Sequence, residues 1–228
     1  MKFLSFAVLM LVLLSAACED PSANKPQAET SDPVANTGNG SNENASNDNS
    51  STNETSETAA GEKLAVSPEN SKVEFTGSKV TGKHDGGFKT FSGEINLVDG
   101  KVENSGVKVE IDMKSVFSDA DGLTEHLKTG DFFEVEKHPK STFESTKIAP
   151  DTAGGENAYT VTGNLEMRGV KKSVTFPAKI TVNDDSVNVD AEFSINRKDF
   201  GIVYAGKADD LIRDGVVIRL NLKTPRKK

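Results

Sequence analysis

Strict alternation of apolar and polar residues runs through most of the chain after residue 63. It is clearest in VKVEIDM (residues 107–113) and VNVDAEFSI (residues 187–195). Because successive side chains of a β-strand point to opposite faces, a period of two predicts strands with one buried and one solvated face. We count about eight such segments, and turn-forming residues such as Asp99-Gly100 and Asn183-Asp184-Asp185 separate them, as expected of an antiparallel sheet.

Other turns and one helix complete the predicted elements. Turns are expected at Asn104–Gly106 and across the loop from Pro150 to Asn157, and a single short helix from about Leu123 to Lys128. Long helices do not alternate with the predicted strands, which argues against a parallel sheet. The sequence pattern therefore predicts an all-β sandwich or a closed barrel.

The first residues have the features of a secretory leader. A single charge at Lys2 precedes an apolar run from Phe3 to Leu14, which is too short for an ordinary membrane-spanning helix. Small residues then lead to Cys18, the only cysteine, in a pattern that resembles the lipobox of bacterial lipoproteins, although Ser15 stands where that motif most often has leucine. The resemblance implies that residues 1–17 are removed and that Cys18 is acylated; the alternative is an incidental cysteine at an ordinary cleavage site.

The segment that follows is polar. Residues 18–63 consist mainly of Ser, Asn, Thr, Glu, Ala, Gly and Pro. Because such a composition provides too little apolar surface to offset the entropy of ordering, we predict a disordered tether behind the lipidated cysteine. The β-domain is then expected at residues 64–224, with a solvated basic tail at residues 225–228.

Composition and motifs exclude several kinds of function. A net charge of -8 and a pI near 5.0 do not provide the basic face that nucleic acids require. The three histidines are scattered and lack cysteine partners, so no metal site is predicted. The stretch TGKHDGGFKTFSG lacks the Lys-Ser/Thr ending of a phosphate loop, and no G-x-S-x-G elbow occurs. We therefore expect no catalytic residues and no enzymatic activity.

Three motifs carry a family resemblance. These are H-L-x-x-x-D-F-F-x-V-E-x-x-P-x-x-x-F from His126 to Phe143, G-x-L-x-x-x-G-V from Gly163 to Val170, and N-R-x-D-F-G from Asn196 to Gly201. Together they resemble the YceI-like proteins over most of the chain after about residue 65. The resemblance implies a lipocalin-like antiparallel barrel of eight strands. It also implies a polyisoprenoid ligand in the lumen, such as an isoprenoid quinone or a related lipid, and no other cofactor.

Large apolar side chains of the predicted strands are the candidates for lining this lumen. The candidates are Phe75, Phe88, Phe91, Ile111, Phe132, Phe143, Leu165, Phe176, Phe193 and Phe200. Each of them could instead be ordinary core. Because Phe132 and Phe133 are adjacent, they would point to opposite faces of an extended chain. One ring would then enter the lumen while the other seals the helix against the barrel wall.

These observations combine into one functional expectation. The chain is expected to be a bacterial envelope lipoprotein, anchored to a membrane with its domain in the periplasm or at the cell surface. Its partner would be an isoprenoid lipid or similar amphiphile, held as a carrier, reservoir or sensor. The alternatives are a structural or stress-related envelope protein with a filled barrel, and an enzyme that uses the lumen as a pocket.

Overall fold

The computed structural model describes residues 20–34 and 61–226, and more than half of these residues lie in β-strands. The helix is α1 (Asp121–Leu127), and short 3-10 turns occur at Met113–Ser115 and Arg197–Phe200. The strands are β1 (Glu29–Ser31), β2 (Glu62–Val66), β3 (Lys72–Lys79), β4 (Gly82–Phe88), β5 (Phe91–Val98), β6 (Lys101–Asp112), β7 (Val116–Ser118), β8 (Lys140–Pro150), β9 (Ala158–Met167), β10 (Val170–Val182), β11 (Ser186–Asn196), β12 (Gly206–Lys207), β13 (Asp210–Leu211) and β14 (Gly215–Pro225).

The main sheet curls into a barrel. Its strands follow the order β6, β8, β9, β10, β11, β14, β3 and β4, all antiparallel. β4 and β5 act as one bent strand because only two residues separate them, and this strand pairs with β7 and β6 in turn. The ladder therefore returns to β6, which gives eight staves when β4/β5 and β6/β7 are each counted once. The predicted lipocalin-like antiparallel barrel is confirmed.

Most of the predicted turns are present, but one is wrong. Asp99 and Gly100 join β5 to β6 with positive φ angles of 52° and 69°, and the loops at 151–157 and 183–185 also join strands. Asn104–Gly106, predicted as a turn, lies inside β6. The Ser105 hydroxyl accepts from the Val98 backbone N–H and donates to the Lys101 carbonyl, so the chain stays in the sheet at an irregularity of the ladder.

A stretch near the N-terminus packs into the barrel wall. β10 and β11 pair only where Lys179–Val182 faces Val187–Asp190, and beyond this they diverge. Residues 26–31 fill the gap: β1 pairs with Ser173–Thr175 of β10, and on the other side the Ala28 N–H donates to the Ser194 carbonyl at 2.8 Å. Ala28 is 5% exposed and joins the barrel core. This segment thus completes the wall between two staves.

Side chains strengthen this attachment. The Lys25 ammonium lies 2.7 Å from a Glu192 carboxylate oxygen, and its hydrogen bond lowers the pKa of Glu192 although burial opposes the shift. The Thr30 hydroxyl donates to Asp199 at 2.7 Å. The prediction of a disordered tether at residues 18–63 is therefore wrong for residues 20–34, because backbone pairing with two strand edges offsets the cost of ordering.

Some predicted segments lie outside the described residues, and the bounds of the β-domain differ slightly from those predicted. The leader 1–17, Cys18 and the stretch 35–60 lie outside the described residues. The β-domain is slightly longer than predicted, since β2 begins at Glu62 and β14 ends at Pro225. In the described part of the chain, no helix is long and apolar enough to cross a membrane.

Candidate ligand-binding site

The barrel encloses an apolar cavity of about 170 Å³. Residues of all eight staves contribute to its wall. The period-two pattern explains this wall, because alternate residues of each strand point inward while their polar neighbours face solvent. In β10, for example, Val174, Phe176 and Ile180 face the cavity. The interior is therefore almost entirely apolar.

The few polar groups on the wall are already satisfied. The Ser141 hydroxyl donates to the Glu166 carbonyl at 2.7 Å, and the Ser105 hydroxyl donates to the Lys101 carbonyl at 2.6 Å. Among the described residues, the cavity wall contains no acidic, basic, histidine, tyrosine or cysteine side chain. Such a site can hold an apolar chain by burial but offers no group for acid–base or nucleophilic chemistry.

Three phenylalanines form a continuous aromatic face inside the barrel. The Phe176 and Phe193 rings stack with their centroids 4.2 Å apart and an interplanar angle of 12°. The Phe143 ring tilts against Phe176 at 5.8 Å. Phe143 also lies directly over Gly163 on β9, where the ring and the Glu144 carbonyl leave no room for a Cβ atom. Gly163 of the predicted G-x-L motif therefore sets the depth of the Phe143 ring.

The structure brings together six of the ten candidate residues on the cavity wall. These are Phe88, Ile111, Phe143, Leu165, Phe176 and Phe193. The other four do not line it, contrary to the prediction. Phe91 and Phe200 are buried in the same apolar core as the lining residues but do not form part of the cavity wall, and Phe200 belongs to a 3-10 turn rather than a strand. Phe75 and Phe132 pack in a second apolar cluster at one end of the barrel.

The adjacent phenylalanines do not divide between lumen and helix. Residues 131–133 form a turn, so the argument from an extended chain does not apply. Phe132 packs edge-on against His126 at 5.0 Å and Tyr204 at 5.6 Å. Phe133 lies 6.1 Å from Phe88, which itself lines the cavity. Both rings therefore help to close one end of the barrel, and the prediction that one enters the lumen is wrong.

Aliphatic residues make up most of the wall and were missed as candidates. Examples are Val73, Ile95, Val109, Val161, Ile180 and Leu220. Their signal was present in the same alternation that predicted the strands. Ring size is a poorer guide than alternation, because phenylalanines such as Phe75 and Phe132 pack at the end of the barrel.

Arg168 fastens the closed end. It occupies the turn between β9 and β10 with a φ of 52°, and its guanidinium donates to the Gly130 carbonyl at 2.6 Å and to the Gly201 carbonyl. Gly130 lies just after α1, and Gly201 follows the 3-10 turn at 197–200. One side chain thus links three connections that meet over the end of the barrel.

Replacing Arg168 by alanine is expected to loosen this end. Loss of the two donors should lower the free energy of local opening by about 1–2 kcal/mol, so amides of residues 126–133 should exchange faster with deuterium. Lys171→Ala, an exposed change in the same hairpin, is the control. Equal exchange in Arg168→Ala and Lys171→Ala would show that the arginine does not fasten the end.

Comparisons with known proteins agree with this architecture. The model of the YceI-like domain matches residues 64–224. A UPF0312 protein of Pseudomonas aeruginosa is 35% identical over 123 residues, which is 51% of this chain and 62% of that protein. A UPF0312 protein of Azotobacter vinelandii is 37% identical over 94 residues, 41% of this chain and 47% of that protein. The chain thus spans less than two thirds of the length of these curated relatives.

Solved structures show the same fold. Burkholderia cenocepacia BcnA matches with a TM-score of 0.61 and 28% identity, over 69% of this chain and 98% of BcnA. A polyisoprenoid binding domain from Saccharophagus degradans matches with a TM-score of 0.57 and 16% identity, over 72% of this chain and 98% of that domain. At that identity the second likeness concerns the fold alone.

Proposed function

Because the chain belongs to the YceI-like domain family, we propose that its barrel binds the hydrocarbon chain of an isoprenoid lipid, of the quinone or polyprenol type. The observation that carries this proposal is a cavity walled almost entirely by apolar side chains. The polyisoprenoid binding domain from Saccharophagus degradans shares this fold, so the fold is compatible with a ligand of this class. The role would be that of a carrier, reservoir or sensor.

The size of the cavity restricts the ligand to a slender one. An apolar cavity of about 150 Å³ can stay dry and accept a guest the size of benzene. The space of about 170 Å³ inside this barrel accepts a short stretch of hydrocarbon without rearrangement. A longer chain requires the wall to yield, and Met113 and Met167, which line it, are the adaptable side chains for this. Affinity would come from burial, at about 25 cal/mol per Å² of apolar surface.

The second part of the proposal concerns location. Acylation of Cys18, inferred from the leader and the lipobox-like residues, would hold the protein on a membrane of the bacterial envelope. A membrane location would place the barrel beside the bilayer in which isoprenoid lipids dissolve. The acyl anchor would then keep the cavity close to the membrane that contains its ligand.

A filled structural barrel is the competing function, and the modest size of the cavity favours it. Native mass spectrometry of protein purified from its own membranes, followed by lipid extraction, distinguishes the two. We expect an isoprenoid adduct on the wild-type protein and on Lys108→Ala, whose exposed side chain lies outside the barrel. Val161→Phe, which adds bulk to the wall, should lose the adduct. Wild-type protein that carries no lipid and binds no added quinone would favour the structural barrel.

A further inference from the structure

The docked N-terminal segment determines which end of the barrel lies near the proposed anchor. The Asp20 carboxylate is 3.6 Å from the Arg213 guanidinium, and the Ser22 side chain lies against Gly215 at the start of β14. Only Glu19 separates Asp20 from Cys18. Two residues of fully extended chain span at most about 7 Å. An acyl group on Cys18 would therefore start close to the surface around Arg213.

Exposed apolar side chains occur at this same end. Val80, in the turn between β3 and β4, is 52% exposed, and its N–H donates to the Leu211 carbonyl at 3.1 Å. Leu211 is 49% exposed, and Val203 in the same loop is 64% exposed. In the described ranges, these are three of the four large apolar side chains with marked exposure, the fourth being Val34. We refer to Val80, Val203 and Leu211 as the apolar tip.

Buried and paired side chains fix the loop that carries Val203 and Leu211 and join it to the turn that carries Val80. Arg197 is 4% exposed, and its guanidinium donates to the carbonyls of Ile202 at 2.6 Å, Arg213 at 3.0 Å and Ile212 at 3.3 Å. The Asp210 carboxylate pairs with Lys79 and accepts from the Thr81 hydroxyl, which ties the loop to the β3–β4 turn. The apolar tip is therefore a fixed surface.

We propose that the apolar tip rests on the lipid bilayer when Cys18 is acylated. This inference depends on the proposed acylation. Three side chains are too few to hold the protein on a membrane alone, but an acyl chain combined with a second membrane contact gives stable attachment. The exposed Lys83 and Lys207 beside the tip suit the negative surface of anionic lipids.

This orientation also determines which end of the barrel faces the membrane that supplies the proposed ligand. Tyr204 follows Val203 and packs against Phe132, which closes the end of the barrel. The end fastened by Arg168 would therefore face the bilayer. The barrel would then lie directly on the lipid surface and would not be separated from it by a long tether. An isoprenoid chain leaving the membrane would meet this end of the barrel first.

Single tryptophans test the orientation, because the chain has none of its own. Val203→Trp and Leu211→Trp are made in the full, acylated chain and reconstituted into vesicles of phosphatidylcholine and phosphatidylglycerol that contain brominated acyl chains. Asp184→Trp, in the exposed turn between β10 and β11 at the opposite end, is the matched control. We expect blue-shifted emission and several-fold stronger quenching at residues 203 and 211 than at residue 184. Thermal unfolding midpoints confirm that each variant is folded.

A second chain variant tests the role of the docked segment. Inserting a long Gly-Ser linker between Glu19 and Asp20 keeps the acyl anchor but removes the short connection, so quenching of Leu211→Trp should fall. Equal quenching at residues 184 and 211 in acylated protein overturns the orientation but leaves the anchor intact. Quenching that the linker does not reduce overturns the role of residues 20–34. A protein mass without an acyl group overturns the anchor and, with it, this inference.

Discussion

Replacing Cys18 by serine is expected to move the protein from the membrane fraction to the soluble fraction. Acyl chains contribute about 0.8 kcal/mol per buried CH₂ to membrane binding, so losing them should remove nearly all of the attachment. The few exposed apolar side chains of the described residues bury too little surface to replace an anchor. Cell fractionation followed by a salt wash, with detection of the protein in pellet and supernatant, measures the change.

The matched control lies in the same N-terminal segment. Thr30→Ala removes a hydrogen bond to Asp199 but retains the cysteine, so this variant should remain in the pellet. Cys18→Ser protein that stays in the pellet after the salt wash would show that something other than an acyl group holds the protein. The prediction thus isolates the anchor from the docked segment.

Period-two alternation predicted the barrel well because it reflects a strong geometric constraint. A shift of one residue in any strand would expose its apolar face, so the pattern determines which residues face inward. Val174, Phe176 and Ile180 of β10 show this alternation both in the sequence and on the cavity wall. Alternation does not tell how far along the barrel a side chain lies. Phe75 and Phe132 are buried as expected, but they pack at the end of the barrel instead of lining the cavity.

The docked N-terminal segment could not be predicted from its own residues. Residues 20–34 are mostly small or polar, and their attachment depends on backbone hydrogen bonds to the Ser194 region and to Ser173–Thr175. These partners are free only because β10 and β11 diverge, and the divergence follows from the twist and closure of the whole barrel. Local composition therefore predicted disorder where a distant part of the fold supplies the missing partners.

Phe193 and Phe143, which both line the cavity, should respond differently to truncation. Phe193 is 5% exposed and stacked on Phe176, so Phe193→Ala is expected to reduce the free energy of unfolding by about 3–5 kcal/mol. Phe143 is only partly buried, and one face of its ring lies over Gly163, which has no side chain to pack against it. Phe143→Ala should therefore cost less stability and weaken quinone binding more, since it removes contact surface from the ligand.

Measuring both quantities on the same variants separates a binding barrel from a filled one. Denaturant unfolding gives the stability of each variant, and titration with a long-chain quinone gives its affinity, with Lys108→Ala as the exterior control. In a binding barrel, the ligand already contacts both rings, so affinity must fall even where stability changes little. In a filled barrel, the rings contact only one another, so stability alone should fall. Quinone affinity that is unchanged in Phe143→Ala and Phe193→Ala, with a large loss of stability in both, would contradict the proposed binding function.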